Sequence, residues 1–168
     1  ESRQCARLAP ATRFHQDDVS IMPATSTQIG AIAENLVANA LIVHSRGRLS
    51  PFIPMADDDG IDLLAFDKKT GLAIPIQVKS RTLALKKKGQ TERGNVVHFS
   101  VRKATFKANR FAYLVAALLT SDLAGFERAW FVSMLDVPKL AGSRTETYAL
   151  RASKSMTSKD KLTRYRCK

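Results

Sequence analysis

Residues 61 to 79 constrain this chain more than any other stretch. Ile61-Asp62-Leu63-Leu64-Ala65-Phe66 is followed by Lys68-Lys69-Thr70-Gly71, and then by Ile74-Pro75-Ile76-Gln77-Val78-Lys79. Two β-prone runs separated by a short, polar, Gly-containing segment predict a hairpin. If Lys68 to Gly71 form the loop, Asp67 pairs with Leu72, and counting back sets Asp62 opposite Gln77. Facing side chains on one side of such a pair lie about 5 Å apart. Side chains alternate with period two, so Lys79 shares the Gln77 face. Ile61, Leu63, Ala65, Ile74, Ile76 and Val78 point the other way, toward a core. An acid, an amide and a lysine therefore converge on one side of an apolar ribbon. A register slip of one residue would undo this arrangement.

The remaining chain surrounds that hairpin with few breaks. Residues 1–24 show no periodicity and read as an N-terminal arm. Thr25, Ser26 or Thr27 can cap a helix that runs to about Val43 and stops at Gly47. Pro51 and Pro54 restrict any strand over 48–54 to a sheet edge. Asp57-Asp58-Asp59-Gly60 reads as a turn, with Asp59 near enough to the motif to assist a metal. Strands are expected over 61–66, 72–80, 96–101, 111–119, 129–134 and 145–150. Residues 81–95 read as a basic loop, 102–110 as a short basic helix or turn, and 136–140 as a helical turn. Residues 25–150 thus form one α/β domain, followed by a basic tail over 151–168.

Glu34 falls within the first helix. Its neighbours at helical spacing are Gly30, Ala31, Val37, Ala38 and Leu41, none of them polar. A carboxylate on such a stripe is costly unless it is paired or bound to metal. Asp62, Gln77 and Glu34 supply the hard oxygen donors that suit Mg²⁺, with Mn²⁺ as a substitute. A lysine beside them suits phosphodiester chemistry, because it can stabilise charge that develops on the phosphorus oxygens.

Charge points the same way. The chain has 168 residues, a net charge of +12 and a pI near 10.1. That balance favours a polyanionic partner, nucleic acid before acidic membrane. The candidate contacts are Arg81, Lys86, Lys87, Lys88 and Arg93 in the loop after Lys79, with Arg102 and Lys103 beyond. The longest apolar run, Phe111 to Leu119, is far below the roughly 20 residues needed to span a bilayer. Glu1 to Pro10 shows no signal-peptide core. Cys5 and Cys167 form neither a metal spacing nor a disulfide framework, which fits a reducing cytoplasm. His98 reads as a core or rim residue rather than a general base. The abrupt end at Arg166-Cys167-Lys168 suggests a further segment.

From Thr27 to Val101 the order helix-Glu34, Gly60-Ile61-Asp62, hairpin and Gln77-Val78-Lys79 resembles the PD-(D/E)XK nuclease superfamily, nearest the Mrr-like endonucleases and archaeal Holliday junction resolvases. The resemblance implies a restriction-endonuclease-like core, a mixed β-sheet flanked by helices. It implies a Mg²⁺-dependent endonuclease acting on double-stranded or branched DNA, with Asp62, Gln77, the Val78 carbonyl and Glu34 as the metal ligands. Lys79 is then the catalytic cation. It also implies a homodimer, since cutting both strands of a duplex usually takes two sites. Gln77 departs from the commoner acid and removes one negative charge. A catalytically silent binding module and an RNA-cleaving relative are the alternative readings.

Overall fold

The computed structural model describes residues 24–55, 60–82, 96–105 and 111–167. Helix α1, Ser26–His44, begins at Thr25, whose hydroxyl accepts from the Gln28 N–H while the Gln28 side chain accepts from the Thr25 N–H. This reciprocal cap satisfies two N–H groups that the helix itself cannot pair. The helix ends through Arg46 and Gly47, both at positive φ, with the Gly47 N–H donating to the Ile42 carbonyl at 2.9 Å.

Five strands follow in one mixed sheet. They are β1 (Leu49–Phe52), β2 (Leu63–Asp67), β3 (Leu72–Thr82), β5 (Tyr113–Leu119) and β6 (Phe126–Ser133), in the order β1-β2-β3-β5-β6. The β2–β3 hairpin has the expected register, Asp67 opposite Leu72 and Leu63 opposite Ile76. Its turn closes through the Gly71 N–H onto the Asp67 carbonyl at 2.8 Å. Only β3 and β5 run parallel. Pro51 lies on the edge strand β1, where a missing N–H is tolerated. Pro75 is tolerated for a subtler reason. Ile76 accepts from the β2 side, so Pro75 turns its nitrogen toward β5, and the β5 ladder starts only at Ile76.

The two faces of this sheet are covered differently. Helix α1 packs on one face, over Leu63, Ala65, Ile76, Val78, Val115, Ala117 and Leu119. A three-stranded antiparallel sheet of β4 (Val96–Arg102), β8 (Thr147–Ser153) and the short β7 (Gly142–Ser143) covers the other. Phe99, Val101, Leu150 and Ala152 of that sheet meet Leu114, Ala116, Leu118, Trp130 and Val132. On this side a sheet layer takes the place of a helix. Strict alternation in Val97-His98-Phe99-Ser100-Val101 gives β4 one apolar face, which a sheet layer buries as well as a helix would. Arg102 belongs to β4 rather than to a following helix.

The residues after Arg151 are also not a detached tail. Arg151 to Ser153 complete β8. Leu162 is buried in the core with Trp130 and Val137 (α2, Val137–Leu140), and Tyr165 packs against the same cluster. Arg166 pairs with Trp130, and the Cys167 N–H donates to the Ala129 carbonyl at 2.9 Å, which covers part of the β6 edge. Charge concealed the two apolar anchors of a segment that reads as basic. Of the arm expected over 1–24, residues 1–23 lie outside the described residues.

Candidate metal centre

The hairpin ladder ends at Leu63 opposite Ile76, and Asp62 continues the chain beyond it. Its N–H donates to the Ile76 carbonyl at 2.9 Å, and its carboxylate accepts from the Val78 N–H at 2.6 Å. Here a side chain takes over the bond that a further ladder residue would have made. In an extended strand, the N–H and C=O of one residue leave from the same edge. The Val78 carbonyl therefore also leaves toward the place where β2 departs, beside Asp62.

Gln77 points to the opposite face from Val78 and is 1 % exposed. Its Oε1 is buried with no hydrogen-bond partner among the described residues. An unsatisfied buried acceptor costs about 1–3 kcal/mol, so a cation or other donor at this point would relieve a real penalty. Lys79 shares the Gln77 face two residues on, half-buried. No hydrogen bond or ion pair engages its ammonium among the described residues. These donors fit a hard divalent cation in type: one carboxylate, one amide oxygen and one main-chain carbonyl. The set is short of negative charge, because no three His, Cys, Asp or Glu side chains cluster among the described residues.

Glu34 is half-buried on α1, at the margin of the stripe formed by Ala33 and Val37. That helix covers the Ile76 and Val78 face, so Glu34 lies on the layer across the sheet from the Gln77 side chain. Both Glu34 and Asp62 have interaction partners within the chain.

Two further residues, Gly60 and Thr105, shape the site. Gly60, at φ +66°, is buried against Gln77. A Cβ there would stand 2.7 Å from the Gln77 Nε2 and 3.0 Å from the Thr105 Cβ. Gly60 thus packs its bare backbone against the amide, and Thr105 closes the other side. The glycine before Ile61-Asp62 was visible, but nothing local announces Thr105, which reaches the site from the end of β4.

The basic residues divide into three groups. Arg81 is exposed, and its Nε donates to the His98 carbonyl at 3.0 Å. Arg102 is exposed at the end of β4. Lys103 is instead held by the β7–β8 hairpin, donating to the Ser143 hydroxyl at 2.9 Å and standing 5.2 Å from the Tyr148 ring centre. Lys86, Lys87, Lys88 and Arg93 lie outside the described residues, as do Asp57, Asp58 and Asp59.

No family model and no curated protein matches the chain. Among solved structures it is similar to the bacterial homing endonuclease I-Ssp6803I, at 17 % identity and a TM-score of 0.54, over 86 % of this chain and 88 % of that one. A looser likeness, at 11 % identity and a TM-score of 0.38, is to the Holliday junction resolvase Hjc of Archaeoglobus fulgidus, over 70 % of this chain and 82 % of that one. The fold is restriction-endonuclease-like.

Proposed function

We propose that the chain is a Mg²⁺-dependent endonuclease that hydrolyses phosphodiester bonds in double-stranded or branched DNA. One observation carries this reading: the buried Gln77 Oε1, without a hydrogen-bond partner among the described residues, lies on a face with Lys79, where Asp62 leaves the hairpin. Asp62, Gln77 and the Val78 carbonyl are the proposed ligands, and Glu34 lies across the sheet from the Gln77 side chain. A bound divalent cation supplies Lewis acidity and an activated water. Lys79 presents its ammonium to the phosphate oxygens and stabilises the charge that builds on them in the transition state. Gly60 holds Gln77 in place. The net charge of +12 supports a polyanionic substrate, and the fold shared with a protein described as a homing endonuclease supports the nuclease class. A second copy of the chain would serve the second strand of a duplex.

Cleavage of supercoiled, linear and branched DNA by the purified chain tests the proposal. Activity is expected with Mg²⁺ or Mn²⁺, and Lys79→Ala and Asp62→Asn should each lower it by at least about 10²-fold. Wild-type activity in Lys79→Ala would refute the assignment. The single amide in place of an acid favours a second reading, a binding module with no chemistry. Calorimetric titration separates the two, because the module would show no metal site that depends on Asp62.

A further inference from the structure

The outer face of the second sheet is basic and polar. Along β4, Val97, Phe99 and Val101 turn inward, so His98, Ser100 and Arg102 face out. Across the ladder His98 stands opposite Arg151, which is also exposed, and Arg102 opposite Thr147. Neither Arg102 nor Arg151 makes a hydrogen bond or ion pair among the described residues. The face is joined to the candidate centre. Gln77, Lys79 and Arg81 alternate onto one side of β3, and the Arg81 Nε bonds the His98 carbonyl. From His98 to Arg102 the strand runs roughly 13 Å, the axial rise of about four phosphates on one DNA strand.

An open cleft of about 450 Å³ lies beside this row, lined by Val96, His98, Arg151, Ser153, Ser158 and Asp160. Its one carboxylate is turned to internal donors. Asp160 accepts from the Ser153 and Leu162 N–H groups and the Ser158 hydroxyl, which hold its carboxyl below the ordinary range although burial opposes the shift.

We propose that this face is a phosphate-backbone track. A DNA strand leaves the Asp62–Gln77 centre past Arg81 and crosses the second sheet over His98, Arg151 and Arg102. The starting point of the track rests on the nuclease reading. The attraction is charge complementarity, since Arg102 and Arg151 are exposed on this face.

Fluorescence anisotropy of a labelled DNA duplex over a salt series, in EDTA, tests the track. Each phosphate contact contributes a slope of about −0.9 to log K against log salt. The pair Arg102→Gln and Arg151→Gln should make that slope shallower by about 2, and the Arg→Lys pair should restore it. The control pair Lys69→Ala and Lys139→Ala removes the same charge elsewhere and should change the slope by less than about 0.5. Equal effects from the two pairs, or an unchanged slope in the Gln pair, would overturn the track. Binding is read without metal, so the two proposals fail separately. A wild-type chain that shows the Arg102/Arg151 slope but cuts nothing with Mn²⁺ supports the track and refutes the nuclease.

Discussion

Gln77 owes its position to a residue with no side chain. Gly60 occupies left-handed backbone and approaches the amide closely, so a methyl group there meets both conformational strain and Thr105. The left-handed region costs about 1–2 kcal/mol for an L-residue. Gly60→Ala should lower stability in urea unfolding by about 1–3 kcal/mol, the contact included. It should also remove the thermal shift produced by Mn²⁺. A Mn²⁺ shift in Gly60→Ala as large as in wild type would mean that Gly60 does not support the centre. Gln77→Glu should act in the opposite sense on the metal, tightening Mn²⁺ binding in calorimetry, because it adds one charge to a charge-poor set. At this scale the sequence was legible where period two and a countable turn applied, which set the hairpin register from Asp67–Leu72 to Leu63–Ile76. It was silent where placement depended on a φ angle or on distant chain, as with Gly60 and Thr105.

Among the elements, the β2–β3 hairpin is tied to the helix by one ion pair. Arg48, just past α1, donates through Nε at 2.7 Å to one oxygen of buried Asp67 and through Nη2 to the other. The Arg48 hydrogen bond holds the Asp67 carboxyl well below the usual carboxylate range, although burial opposes the shift. A depressed folded value means that Asp67 stabilises the protein fully above the unfolded carboxylate pKa of about 4. The contribution fades as pH falls from there toward the folded value. Thermal melts between about pH 6 and pH 2 should therefore fall more steeply for wild type than for Asp67→Asn. Parallel curves would show that the pair carries no pH-linked stability. This contact was not legible either, since Arg48 and Asp67 lie on different elements. The helix caps were, because Thr25, Gln28 and Gly47 act on their immediate neighbours.

For the whole molecule, the decisive surprise is the fate of the last residues. Counting charges made 151–168 a basic tail, yet Leu162 is buried beside Trp130. Leu162→Ala should cost about 2–5 kcal/mol in chemical unfolding, a core value. Arg151→Ala should stay within about 0.5 kcal/mol, as a surface change does. A Leu162→Ala loss as small as that of Arg151 would return the segment to the surface. The central mixed sheet was legible in outline from the strand pattern. The β-layer over the second face was not, because alternation shows that a strand has a buried side without showing what buries it. The hairpin itself sets an order in time. Asp62 reaches Val78 across a sequence separation of 16, whereas the parallel ladder must bring Ile76 to Tyr113. Closing the shorter loop costs less entropy, and hairpins form within about 1–10 μs. The oxygen donors of the candidate centre can thus be gathered before the central sheet is complete, and a divalent ion in the refolding buffer would meet its ligands early.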